Sequence, residues 1–107
     1  MSLCSTLNRA ADLIEQNGFC QYWLNEDEKL CVLGAVLRAK GLSTQPDWTE
    51  KMEQLPEVRH LAYVLDIVAP RFQTVSNWND KAGRTKDEAV KFLRTAAELA
   101  KTKGAAL

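Results

Sequence analysis

The chain has 107 residues, and its 14 basic and 14 acidic residues give a formal net charge of zero. This length suits a single domain with one hydrophobic core, and an ordinary apolar fraction of 46% excludes a disordered chain. A neutral chain has no overall charge to draw it to nucleic acid or to anionic lipid, so we expect neither as a partner.

The cysteine count and the N-terminal pattern indicate a compartment. The first residues lead directly into an amphipathic pattern, without a signal peptide or a membrane-spanning apolar segment. Three cysteines and one histidine, without a Cys-x-x-Cys pair, form neither a disulfide scaffold nor a zinc site. We therefore predict a cytoplasmic protein with reduced thiols and with no metal or cofactor.

The first helix is predicted from Ser5 to Asn17, because small and apolar residues recur there at spacings of three and four. Ser5 would be its N-cap and Gly18 its stop.

A β-hairpin is predicted next. The aromatic run 19–24 would form its first strand, the acidic run 25–28 its turn, and residues 29–31 its second strand. A four-residue loop would place Tyr22 opposite Cys31.

The longest apolar run, residues 30–37, contains Gly34. It is too short to cross a bilayer, so we predict a central buried helix from Val32 to Ala39. A glycine inside a helix costs about 1 kcal/mol relative to alanine. We therefore expect another backbone or an aromatic ring to pack closely against Gly34.

Two further helices are predicted. One begins at Pro56 and ends near Val68, with His60 at the rim of its apolar face. The last begins with a capping box formed by Thr85 and Glu88. Together the elements predict a mainly α domain of about four helices around the central one, with the hairpin between the first two.

The first candidate site collects Trp78, Asn79, Asp80, Arg84 and Thr85 just before the last helix. Free N–H groups and the helix dipole can hold an anion there, and Arg84 could add charge-assisted hydrogen bonds. The alternative is turn chemistry, in which Asp80 starts a turn and pairs with Arg84.

The second candidate is a nucleophilic site made of Cys31 and His60, with Asn79 or Asp80 as the third member. This order resembles that of thiol hydrolases, and a helix start lowers a thiol pKa. The apolar surroundings of Cys31 act in the opposite direction, because burial raises its pKa and leaves the thiol inert.

The aromatic residues permit two interpretations. They can belong to the core, or they can frame a stacking pocket for a base or a peptide; they are Phe19, Tyr22, Trp23, Trp48 and Trp78. Charge is also uneven, since residues 81–107 hold seven basic and three acidic residues. This excess suits the end of a helix, or a basic face for an acidic partner.

The sequence resembles a family of small uncharacterised bacterial and phage proteins. The elements that carry the resemblance are Ala10–Ile14, Gly18–Gln21, Leu30–Ala35, Trp78–Asp80 and residues 83–85. That family has a Cys-x-Leu-Gly-Ala element and a Trp-Asn-Asp motif, and a tryptophan where this chain has Phe19. The resemblance implies one intact domain and no assigned activity. It marks Cys20, Cys31, Gly34, Trp78, Asn79 and Asp80 as positions of interest.

Three functions are compatible with these patterns. The first is a non-enzymatic binding module, associated with phage or mobile elements, that takes a protein or a small anionic ligand through residues 78–85. The second is a small hydrolase or transferase that uses Cys31 and His60. The third is a structural subunit that forms a homodimer through exposed aromatic residues.

Overall fold

The structure, a computed structural model, describes residues 2–42, 52 and 54–104. It confirms a mainly α fold with one small antiparallel hairpin. The predicted connection around Trp48 lies outside the described residues. The elements are α1 (Leu3–Asn17), β1 (Asn25–Glu26), β2 (Lys29–Leu30), α2 (Val32–Ala39), α3 (Pro56–Val68), α4 (Val75–Asn79) and α5 (Lys86–Gly104).

Helix α1 begins one turn earlier than predicted. Its N-cap is Ser2, whose Oγ accepts a hydrogen bond from the backbone N–H of Ser5 at 3.1 Å. The prediction of Ser5 as the cap is therefore wrong, because two serines three residues apart offer the same chemistry and the earlier one is used. The helix ends at Gly18 as predicted, with a φ of 104°.

Helix α1 packs mainly against α5 and α2, and α3 and α4 also contribute side chains to the core. The apolar face of α1 is buried there from Leu7 to Ile14. Outside the core, the Arg94 guanidinium of α5 donates hydrogen bonds to Asp12 at 2.6 Å and to Asn8 at 3.1 Å. These contacts fix how the first and last helices lie together.

Helix α2 has the predicted bounds and is buried from Val32 to Leu37. A Cβ added to Gly34 would lie 1.9 Å from the carbonyl oxygen of Leu24. The predicted close approach of another backbone to Gly34 is therefore confirmed, and the approaching chain is the segment that precedes the hairpin. Only glycine leaves room for it.

The hairpin differs from the prediction in both extent and register. Strand β1 begins at Asn25, which pairs with Leu30, and the turn is the two residues 27–28. Tyr22 therefore does not lie opposite Cys31, and residues 21–24 form bends. Backbone groups of this segment bond to a distant part of the chain and to the start of α2, so they are not available to a long strand.

Helix α3 keeps its predicted bounds, but His60 is buried in the core. The Nε2 atom of His60 lies 2.8 Å from the carbonyl oxygen of Ala96 in α5. Its predicted position at the rim is therefore wrong, because a hydrogen bond to the facing helix allows the imidazole to be buried.

The short helix α4 was not expected. Thr74 caps it, accepting a hydrogen bond from the N–H of Asn77 at 3.0 Å. The capping box of α5 is confirmed: the Thr85 hydroxyl accepts from the Glu88 N–H, and a Glu88 carboxylate oxygen accepts from the Thr85 N–H at 3.0 Å.

Candidate functional site

The site is built from α4 and the bent segment 20–24, which lies against it. Trp78 is the apolar anchor of α4 and is only 6% exposed. Its ring packs on Phe92 of α5, with 4.5 Å between centroids and a tilt of 32°, and the Arg84 guanidinium lies over the Trp78 ring, 3.9 Å from its centroid. Arg84 Nε also donates to the carbonyl oxygen of Trp78 at 2.9 Å.

Asn79 is buried and joins three parts of the chain. Its Oδ1 accepts a hydrogen bond from the N–H of Val32, in the first turn of α2, at 3.0 Å. Its Nδ2 donates to the carbonyl oxygen of Cys20 at 3.3 Å and to Asp80 Oδ1 at 3.0 Å. A buried amide that satisfies both its donor and its acceptor sides fixes the position of each partner.

Asp80 holds the same bent segment through a solvent-exposed hydrogen bond. Its Oδ1 accepts a hydrogen bond from the N–H of Tyr22 at 2.8 Å. Next to it, Gln21 Nε2 donates to the carbonyl oxygens of Asn79 at 3.1 Å and of Lys81 at 2.7 Å. The bent segment is therefore pinned on two consecutive residues by partners about 60 positions away along the chain.

The pinned segment presents two aromatic side chains to solvent. Tyr22 is 71% exposed and Trp23 is 65% exposed. Tyr22 also has a φ of 72°, in the left-handed region that a bulky side chain rarely adopts. Such a conformation costs of order 1–3 kcal/mol and persists where surrounding contacts impose it, often at a functional surface. We call Tyr22 and Trp23 the aromatic loop.

The family comparison agrees with the resemblance in the sequence. The model of DUF6197, a family of unknown function, matches residues 2–99. The chain belongs to this family. No curated protein and no solved structure matches the chain.

Arg84 and Thr85 of this DUF6197 protein are engaged within the chain. Arg84 Nη1 pairs with Glu88 at 2.8 Å rather than with Asp80, so the predicted pairing of Arg84 with Asp80 is wrong. The Thr85 hydroxyl and N–H both belong to the capping box. The hydrogen bond from the N–H of Thr85 holds the pKa of Glu88 below its ordinary value, and the hydrogen bond and positive charge of Arg84 lower it further. These contacts account for the conformation of both side chains without a ligand.

Cys31 and His60 are each held by a different partner. The Cys31 sulfur is the N-cap of α2 and accepts from the N–H of Gly34 at 3.2 Å. Burial raises the pKa of Cys31 to about 12, and the Gly34 hydrogen bond only partly opposes this. Burial also raises the pKa of Cys20, with a contribution from the Glu26 carboxylate. Both thiols are therefore protonated at neutral pH, which is the unreactive form.

Over residues 2–42, 52 and 54–104, no group of three or more His, Cys, Asp or Glu could hold a metal ion. Within the same ranges, no helix has the length and apolar content that a membrane span requires.

The sequence indicates Trp78, Asn79 and Asp80 as candidate residues, but not that they hold the aromatic loop in place. Its aromatic run predicts a strand for Tyr22 and Trp23, because aromatic residues favour strands. The available signal was Gly34, which predicts that another backbone or an aromatic ring packs closely against it; the structure shows that this is the backbone of Leu24. The structure brings the bent segment and the Trp-Asn-Asp motif together.

Proposed function

We propose that this DUF6197 protein is a non-enzymatic protein-interaction module whose contact surface is the aromatic loop. The observation that carries the proposal is the exposure of Tyr22 and Trp23 on a segment that Asp80 and Gln21 pin in place. Tyrosine and tryptophan are the residue types that most often dominate binding energy at protein interfaces. A segment already held in one conformation loses little entropy on binding.

The Trp-Asn-Asp motif has a positioning role in this proposal. Trp78 and Asn79 are buried, and Asp80 supports the backbone of Tyr22. A small anionic ligand at residues 78–85 receives less support, because Arg84 and Thr85 already bond to groups of the chain. The module would be a cytoplasmic protein, in keeping with its three free cysteines, because thiols stay reduced in the cytoplasm. It would be encoded by a bacterium or by a phage-derived element.

Photo-crosslinking in cells of the source organism tests the proposal. A benzoylphenylalanine placed at position 22 should give a discrete covalent adduct with one partner protein, and the additional substitution Trp23→Ala should abolish that adduct. The same probe at Ile67, which is 54% exposed on α3, is the matched control. Equal adducts from positions 22 and 67, or none from position 22, would contradict an interaction surface at the aromatic loop. An adduct between two copies of the chain would instead favour the homodimer hypothesis.

The hydrolase hypothesis is separated from this proposal by a thiol titration. With a chromogenic disulfide at pH 7.5, we expect only the partly exposed Cys4 to react in the folded protein. All three thiols should react after unfolding in guanidinium chloride. The variant Cys4→Ser should therefore show almost no reaction when folded. Rapid modification of Cys31 in that variant would favour a nucleophilic role.

A further inference from the structure

We infer that the partner of the aromatic loop presents a cationic segment, with arginine against Trp23. This inference rests on the proposed function and adds the chemistry of the partner. It follows from the acidic turn that begins three residues after Trp23, and from an arrangement of tryptophan, arginine and glutamate that the chain itself contains.

The acidic turn consists of Glu26, Asp27 and Glu28, and all three residues are exposed. No described lysine or arginine lies within ion-pairing distance of their carboxylates. Lys29 lies opposite Glu26 in the hairpin, but its stem packs on Gly18, where its Cγ would lie 3.0 Å from an added Cβ, and it forms no ion pair with the turn. Three exposed carboxylates without an ion-pair partner attract a cationic partner and repel an anionic one.

The acidic turn and the aromatic loop are gathered around one buried thiol. The Cys20 sulfur donates to the carbonyl oxygen of Trp23 at 3.4 Å and to that of Lys29 at 3.6 Å. Lys29 is also the residue that pairs with Glu26 in the hairpin. The backbone of Trp23 and that of the acidic turn therefore lie on the same thiol, and an extended partner segment of a few residues is long enough to reach both.

The chain already contains the contact that we assign to the partner. The Arg84 guanidinium stacks 3.9 Å over the Trp78 ring while its Nη1 pairs with Glu88 at 2.8 Å. A guanidinium is planar and weakly hydrated, so it can stack on an indole and bond a carboxylate at the same time. Trp23 and the acidic turn offer the same two groups to an arginine from outside.

In the test, hexa-arginine, hexa-lysine and hexa-glutamate peptides are each titrated into the ¹⁵N-labelled full chain at low salt, and binding is monitored by NMR. Hexa-arginine should shift the Trp23 indole signal and the amide signals of residues 25–28, and hexa-glutamate should shift neither. Hexa-lysine should bind about threefold more weakly than hexa-arginine, because lysine stacks less well on indole. Trp23→Ala should weaken hexa-arginine binding about threefold, as read from the turn amides.

The decisive variant is the triple substitution Glu26→Gln, Asp27→Asn and Glu28→Gln. It should weaken hexa-arginine binding about tenfold, the combined effect of three exposed ion pairs. Asparagine tolerates the left-handed conformation of Asp27, which has a φ of 55°, so the turn should be retained.

The matched control removes three exposed carboxylates elsewhere, through Asp66→Asn, Asp87→Asn and Glu98→Gln. We expect a change of less than about twofold, because these groups are not beside the aromatic loop. Equal weakening by both triple variants, or binding that leaves the Trp23 signal unmoved, would overturn the inference. A crosslink from position 22 to a partner segment without basic residues would also overturn it, while leaving the proposed interaction function intact.

Discussion

The Trp78–Asp80 motif and the aromatic loop are joined by a hydrogen bond, yet a polar side chain is buried in the first and apolar rings are exposed in the second. Asn79 is polar and 2% exposed, whereas Trp23 is apolar and 65% exposed. Asn79 can be buried because each side of its amide has a partner in the chain. Trp23 is exposed because its backbone, rather than its ring, is what the neighbouring elements hold. Whether a side chain is buried is therefore decided by the hydrogen-bonding partners available to it and to its backbone, and not by its polarity alone.

The bent segment keeps its position partly because it packs on α2 at Gly34. The substitution Gly34→Ala should disrupt that contact. An added Cβ would lie 1.9 Å from the Leu24 carbonyl oxygen, so helix or segment must shift. We expect the free energy of unfolding to fall by more than about 3 kcal/mol, measured by urea unfolding. Gly41→Ala is the control: it has open space but a φ of 74°, so it should cost only about 1 kcal/mol. Similar losses in the two variants would show that close approach at Gly34 is unimportant.

Asn79→Ala tests whether the buried motif is structural. It leaves the Val32 N–H and the Cys20 carbonyl without their partner, and each unsatisfied buried group costs about 1–3 kcal/mol. We expect a loss of about 3 kcal/mol in the free energy of unfolding, measured in urea. Asn77→Ala, at an exposed position of the same short helix, should change it by less than about 0.5 kcal/mol. An unchanged stability for Asn79→Ala would instead support a role in ligand binding.

Tyr22→Gly tests whether the left-handed backbone of the aromatic loop costs stability. Glycine reaches a φ of 72° without a Cβ clash, so the free energy of unfolding should rise by about 1 kcal/mol. Tyr22→Ala should leave it nearly unchanged, since alanine has the same backbone strain and the tyrosine ring is mostly exposed. Urea unfolding of the two variants measures the difference. If both variants lose equal stability, the left-handed conformation is not what limits this position.

The smallest effect concerns the cap of α5, beside the motif. The folded-state pKa of Glu88 is below its ordinary value, chiefly because the Thr85 N–H donates to its carboxylate. Its contribution to stability is therefore full above the unfolded-state pKa and is lost as pH falls through the folded-state pKa. The melting temperature of Glu88→Gln should lie slightly below that of the parent protein at pH 7, and the gap should shrink as the pH falls through the lowered folded-state pKa of Glu88. For Asp87→Asn, which is outside the capping box, we expect a smaller gap at pH 7. A gap that widens in acid would contradict the sign.

Local signals in the sequence were sufficient for much of the fold. The bounds of α2 and α3 and the capping box of α5 follow from apolar spacing, Pro56, and the Thr85–Glu88 pair. The hairpin register could not be predicted, because segment 21–24 is held by groups about 60 positions away. The short helix α4 has a local cap in Thr74, but its five residues are too few for an apolar period to indicate a helix. For the candidate site, the sequence singled out Trp78, Asn79 and Asp80 but not the surface that they hold in place.

Local pattern was enough to predict the bounds of α2 and α3 and a close contact at Gly34, made by another backbone or an aromatic ring. Both follow from neighbouring residues: the period of apolar side chains and the absence of a Cβ. The burial of Asn79 and the exposure of Tyr22 and Trp23 could be seen only in the folded chain. Those outcomes depend on hydrogen bonds between residues 58 and 59 positions apart, which local pattern does not encode.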